Sequence, residues 1–412
     1  MSDALKARRP AAASFIFVTM LLDWLVVGIA SPVVPKLIVE FTGRIDSASA
    51  ISGAFATAFA LLQFGLSPVL GILSDRFGRR PIILLSSLGS AVDCLILALA
   101  PNLWWLFLGR FLSGATAASA TASAAYVADV TPPERRGAAF GMLSAAFGLG
   151  FALGPALGGL LAGFGLRVPF YVCAGLMLAN AAYGLFVLPE SLAPEMRQPT
   201  IAWKRANPLG SLKMLRRHRD LLGLVSSLFC SNLGVQSFSV FVLYTIYRFN
   251  WSEAANGLGL TAFGAIAVVS SMIVGRLIAK FGAQMVAVTG FGLGCVGFLI
   301  YGFAPTGIVF ACALPLTGLW SIAGPPIQSA MSRHVSATEQ GELQGAIGSV
   351  RGVAMIVGPA FFTLLFAWVS SFGTSPLVGA PWFCGALLLV AAAVLAHRAM
   401  RFESTAEVAA SA

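Results

Sequence analysis

The sequence predicts an all-α integral membrane protein, with twelve transmembrane helices in two pseudo-symmetric six-helix halves. Three observations predict it. First, 58% of the residues are hydrophobic and only 10% are charged, more apolar surface than a soluble domain can bury. Second, the apolar residues fall in runs of about 20 or more, the length a helix needs to cross about 30 Å of hydrocarbon. Third, the second half of the chain repeats the first at a constant offset of 204 residues. Gly71, Leu73, Phe77 and Gly78 fall on Gly275, Leu277, Phe281 and Gly282. Gly137 and Gly141 fall on Gly341 and Gly345, and Gly154, Pro155 and Ala156 fall on Gly358, Pro359 and Ala360. One register kept across three separate regions marks a duplicated unit in parallel orientation. The runs do not alternate polar and apolar residues, so an outer-membrane barrel is excluded.

The first span covers 12–34 and holds Asp23. It follows a short basic segment, but it runs past residue 30 with no clear cleavage site, so it reads as a retained helix rather than a signal peptide. The second span, 49–73, carries Gln63. After it comes GILSDRFGRRP (71–81), four charges in six residues. Gly71 and Gly78 allow close packing and a sharp turn there, and Asp75 can cap a helix end or pair across the halves. The third span, 82–100, holds Asp93; the fourth, 103–126, holds Arg110. Both lie on the order of 13 Å from the turn at Pro101–Asn102, so they can share one depth and pair. Asp129 at the end of the fourth span can meet an arginine of the charged loop. Charges inside lipid are costly, so Asp23, Asp93 and Arg110 read as functional.

The fifth span, 138–163, carries GPALGG, where small residues allow close helix contact and Pro155 bends the backbone. The sixth is 168–188. A basic, Pro-containing linker, 189–220, divides a first domain, 1–188, from a second, 221–412. The remaining spans are 221–246, 256–279, 284–304, 306–330, 343–369 and 379–397. Asn232 and Gln236 in the seventh and Gln328 in the tenth are, with Gln63, the polar residues expected to face a cavity; the alternative for each is interhelical bonding. Arg351 in the eleventh can hold an anionic group, replace lost polar contacts, or reach toward the nearer surface.

Of the 26 Lys and Arg residues, only Lys36, Arg44, Arg167 and Arg248 fall on one side, and twenty fall on the other. The excess puts both termini in the cytoplasm. The net charge of +10 is then a topology signal, with no nucleic-acid partner implied. The six cysteines lie within apolar runs without a CxxC pair, so neither a disulfide framework nor a metal site is expected. No HExxH, no GxSxG in context and no nucleotide loop occurs. The chain is therefore read as no enzyme, with no cofactor and no use of ATP.

With GILSDRFGRRP, LGRFLSGATAA (108–118) and GLGFALGPALGG (148–159) in place, the chain resembles the major facilitator superfamily. LLDWLVVGIASPVVP (21–35), VDCLILA (92–98), YVADVTPPERR (126–136) and GPPIQSAMS (324–332) make it similar to the tetracycline-efflux branch of proton-coupled drug exporters. The resemblance implies alternating access around a central site. It implies that Asp23 and Asp93 include the proton carrier, tuned by Arg110. Asp75, Arg76 and Arg79, with Gly71, Gly78 and Asp129, would form a cytoplasmic gate, and Gly154, Pro155 and Gly158 a sealing bend. The second copy has Ala279 where Asp75 would fall, so the gate is expected to be asymmetric. Gln63 and Gln328 match the branch best as substrate contacts. The chain departs from several tetracycline exporters in spans eight and nine, where Ile266 and Gly294 stand near positions that carry a histidine and an acid. The expected partners are a small-molecule substrate, protons and the lipid bilayer of the inner membrane, and a monomer suffices. Import of a metabolite by proton symport, and a non-transporting receptor or scaffold, are the other readings.

Overall fold

The computed structural model describes residues 3–132, 135–198, 207, 210–218, 221–336, 339–373 and 376–411. Among them the chain is built from helices: α1 (Asp3–Thr42), α2 (Ile45–Phe77), α3 (Arg79–Leu99), α4 (Leu103–Thr116), α5 (Ser119–Val130), α6 (Arg136–Ala162), α7 (Val168–Val187), α8 (Met214–Arg217), α9 (Leu221–Val235), α10 (Phe241–Phe249), α11 (Glu253–Phe281), α12 (Ala283–Phe303), α13 (Gly307–Cys312), α14 (Leu314–Leu319), α15 (Gly324–Arg333), α16 (Gln340–Ser370) and α17 (Ala380–Ser411). Among the described residues, eleven helical runs are long and apolar enough to cross a membrane. The twelfth expected span is divided between α4 and α5, 14 and 12 residues long, and neither piece alone is long enough to cross. Of the linker, 199–206, 208–209 and 219–220 lie outside the described residues.

The fourth span was expected as one helix, and it is two. Ala117 sits at φ −73°, ψ 72°, an inverse γ-turn. The Ala118 N–H bonds Thr116 O at 2.8 Å. Ser86 of α3 repairs the break: its hydroxyl donates to Thr116 O at 2.7 Å and accepts from Ala118 N at 3.3 Å. A lipid interior tolerates a freed backbone only where a neighbour satisfies it in this way. The repeat shows at the same place. Trp320–Ala323, offset by 204 from 116–119, is a 3-10 turn between α14 and α15. The helix starts match as well. Asn102 caps α4, and Thr306 caps α13. Gly78 and Gly282 open α3 and α12 at φ 107° and 81°, where a side chain would be strained.

The chain forms two compact units. One contains residues 1–41, 58–207 and 252–261; the other contains 42–57, 208–251 and 262–412. In the first, Phe15, Ile16, Met20, Tyr126 and Val127 center one core, and Val26, Ile29, Ala91, Cys94 and Met177 another. In the second, aromatic rings do that work. Phe238, Tyr244, Tyr301, Phe310 and Trp382 pack at centroid distances from 4.0 to 6.4 Å, in the range where rings attract edge to face or offset.

Candidate functional site

Asp93 on α3 and Arg110 on α4 meet. The Arg110 Nη2 donates to Asp93 Oδ2, and Asp93 is only 2% exposed. Gly109 makes the approach possible, because a Cβ there would lie 2.7 Å from Asp93 Oδ1. Asp23 on α1 is different. Both its carboxylate oxygens are buried and make no hydrogen bond of good geometry. A neighbouring polar group is the hydroxyl of Ser119, the first residue of α5 after the break in span four, itself buried without a hydrogen bond of good geometry. Arg110 thus meets Asp93, as their equal distances from the turn at Pro101–Asn102 led us to expect.

One turn from Asp23, Thr19 donates to Asn180 Oδ1 on α7 at 3.1 Å, and Asn180 Nδ2 donates to Ser87 on α3 at 3.3 Å. All three residues are buried. This chain fixes α1 against its neighbours beside the carboxylate. Sequence reading missed it, although a buried Asn in an apolar run is a visible signal.

The charged loop is an interlocked cluster within the first unit. Arg79 pairs with Asp75 and, through Nε at 3.2 Å, with Asp129. Ser191 adds a bond to Asp129 at 3.1 Å. Asp75 thus pairs within its own loop. Among the described residues Arg76 makes no such pair, and it lies 5.4 Å from the Phe77 ring centroid. The residue that organises the turn, absent from the sequence expectations, is Glu190. Its carboxylate accepts from the backbone N–H groups of Arg79 at 2.8 Å and Arg80 at 3.3 Å, and from Ser191 and Leu192 at 3.0 and 3.1 Å. It supplies from elsewhere the N-terminal cap that Gly78, with no side chain, cannot give α3. A Cβ on Gly78 would collide with that carboxylate. At Gly71 a Cβ would meet nothing within 4 Å among the described residues, so the close packing expected there is not present among them.

Gly154 and Gly158 face α1 backbone to backbone. A Cβ on Gly154 would lie 2.6 Å from Gly28 Cα and 2.7 Å from Leu25 O; one on Gly158 would lie 2.9 Å from Ile29 Cα. Gly150 continues the stripe: a Cβ there would lie 2.7 Å from Leu21 O. Pro155 lies inside α6, where it removes a backbone donor, and the Ala156 N–H donates to Thr261 Oγ1 of α11 at 2.9 Å. Lys36 and Glu253 pair at 2.5 Å near the same end. The repeat appears in the second unit: Thr57, the counterpart of Thr261, donates to Ile356 O of α16 at 3.0 Å, beside Gly358–Pro359.

Gln63 belongs to the first unit, and Asn232, Gln236 and Gln328 to the second. Asn232 and Gln236 each spend an N–H on a carbonyl one turn back, at 2.8 and 3.4 Å, which leaves their amide oxygens available. Gln63 and Gln328 are half-buried, and Arg351 is exposed. Ile266 packs against Gly318, so its position is filled by aliphatic contact.

Among the described residues, a buried ion pair and an unmatched carboxylate lie in apolar helices, where charge is costly. The sequence pattern of the Major Facilitator Superfamily matches residues 16–359 and 224–410, and the chain belongs to that family. It is therefore a transporter and not an enzyme. It is 34% identical over 372 residues to the class C tetracycline resistance protein of Escherichia coli, covering 90% of this chain and 92% of that one. It is 30% identical over 348 residues to multidrug resistance protein 2 of Bacillus subtilis (strain 168), covering 82% and 85%. A bacterial homolog of the human lysosomal transporter Spinster, solved inward-facing and unoccupied, shares the fold with a TM-score of 0.77 at 15% identity, over 97% of this chain and 98% of that one.

Proposed function

We propose that the chain is a proton-coupled antiporter that exports an amphipathic small molecule by alternating access, with tetracycline as the first candidate substrate. The observation that carries this is the contrast between two membrane carboxylates. Asp93 has a guanidinium partner; Asp23 has buried oxygens and no charged partner among the described residues. A matched acid holds its charge, and an unmatched one in a low-dielectric site is free to gain and lose a proton. Asp23 is then the proton carrier, and the Asp93–Arg110 pair responds to its charge. Names of relatives favour drug export: tetracycline resistance and multidrug resistance. The amide groups of Gln63, Asn232, Gln236 and Gln328 are the substrate contacts of this reading. The Asp75–Arg79–Asp129 cluster with Arg76 is its gate. The protein works in the inner membrane, in contact with lipid, as a monomer with both termini cytoplasmic and with the proton gradient as its energy source.

The test is drug susceptibility of an efflux-deficient bacterium expressing the chain, with tetracycline in the panel and Asp23→Asn as control. The expected result is resistance that vanishes in the variant. Good membrane expression with no resistance to any drug would retire the drug reading. Resistance that survives in Asp23→Asn would remove Asp23 from the proton path.

A further inference from the structure

Hydroxyls inside these helices usually bond back to a carbonyl one turn earlier. Thr116 does so to Leu112 at 3.0 Å, Ser144 to Phe140 at 3.1 Å, Ser270 to Ile266 at 2.7 Å and Ser349 to Gly345 at 2.9 Å. Ser119 and Ser123 do not. Both hydroxyl oxygens are buried without a hydrogen bond of good geometry, in residues 9% and 0% exposed. For Ser119 the reason is local. The carbonyl four residues back belongs to Ala115, on the far side of the turn at Ala117, and α5 begins only at Ser119. Ser86 satisfies the backbone groups that the break releases, so the Ser119 hydroxyl is not needed for capping. A buried hydroxyl without a partner costs free energy unless something else uses it. The group beside it is the Asp23 carboxyl, whose own oxygens are equally unbonded.

We propose that Ser119 is the positioning residue for the transported proton. Its hydroxyl accepts from the Asp23 O–H when the acid is protonated, and donates to the carboxylate when the proton has left. A hydroxyl can do both by rotating. The proton enters and leaves at an Asp23 carboxylate oxygen; Ser119 keeps its own hydrogen, so no net proton resides on it. This rests on the reading of Asp23 as proton carrier. Other ionisable groups in the surrounding helices are engaged or neutral. Asp93 is bound to Arg110, Tyr126 donates to Pro189 O, Cys94 interacts with Cys173, and α6 contributes none along its membrane length. The break in span four has a use in this light: it frees one hydroxyl from the carbonyl of its own helix, so that it can serve the acid.

The test is infrared difference spectroscopy on the purified full chain between acid and alkaline pH. The Asp23 carbonyl band is assigned by its loss in Asp23→Asn. In Ser119→Ala the band should move to higher frequency, because the acid loses its hydrogen-bond partner, and the midpoint of its titration should shift by about one pH unit, a tenfold change in proton affinity. Ser119→Thr keeps a hydroxyl and should restore both. An unchanged band and midpoint in Ser119→Ala, or failure of Ser119→Thr to restore them, overturns the proposal. So does an Asp23 that shows no titration at all. Drug efflux measured in parallel separates the two ideas. Efflux driven by a pH gradient with an unmoved Asp23 band sinks the role of Ser119 alone; efflux indifferent to the gradient sinks the coupling reading.

Discussion

Replacing Arg110 by Gln strips the partner from Asp93, whose side chain is 2% exposed against 19% for Arg110. Removing one member of a buried ion pair costs about 3–5 kcal/mol, because the other charge stays behind unpaired. Asp93 can limit the loss by taking up a proton, at about 1.4 kcal/mol for each pH unit its equilibrium must move. The reverse change, Asp93→Asn, should cost less. The remaining guanidinium is more exposed, and the Asn oxygen can still accept from it. With both neutralised, no buried charge is left, and the double variant should be more stable than Arg110→Gln alone. The assay is thermal unfolding of the detergent-solubilised chain at neutral pH, followed by tryptophan fluorescence. At about 2–4 °C per kcal/mol for units of this size, Arg110→Gln should melt roughly 6 °C or more below the parent, and the double variant should recover at least half of that. If the two single losses add to within about 0.5 kcal/mol in the double variant, the residues do not interact, and the pairing of α3 with α4 through them is wrong.

Three further outcomes are expected. Glu190→Ala should lose the cap of α3, about 1–2 kcal/mol, visible as a lower melting temperature and faster hydrogen exchange at Arg79 and Arg80, whereas Gly71→Ala should stay within about 0.5 kcal/mol of the parent. Gly154→Leu should be destabilised by about 1–3 kcal/mol or more and fail in transport, since its side chain must enter the α1 backbone; normal melting and normal resistance would exclude the close α1–α6 contact. Lys36→Glu should reduce drug resistance, and Lys36→Glu with Glu253→Lys should recover part of it, each step being worth less than about 1 kcal/mol because the pair is partly exposed.

Much of this was legible in the residues themselves. Among the described residues, hydropathy located eleven membrane-length helices, because the cost of burying backbone and side chains in lipid leaves few alternatives to an apolar helix. The 204-residue register foretold matched details that only coordinates display: Asn102 and Thr306 as caps, Gly78 and Gly282 at positive φ, Thr57 and Thr261 beside the two Gly-Pro bends. Equal distances from the turn at Pro101–Asn102 foretold that Asp93 meets Arg110. The interruption of span four was not legible. Hydropathy counts apolar atoms, and the remedy for the break is a serine on another helix, 30 residues earlier than Thr116. Glu190 escaped for the same reason, since its bond to Arg79 spans 111 residues. Gly71 misled because a glycine beside a charged loop suggests contact, while here its surroundings are open.

The crossed contacts of Thr57 and Thr261 set a rule for building chimaeras. Residues 42–57 fold with the unit that holds α16, and residues 252–261 with the unit that holds α6. A recombinant that joins residues 1–207 of this chain to the second half of a relative therefore separates each of these segments from the Gly-Pro helix it grew up with. A graft whose seams follow the packing, carrying 252–261 along with α6 and leaving 42–57 with α16, keeps both bends matched to their own threonines.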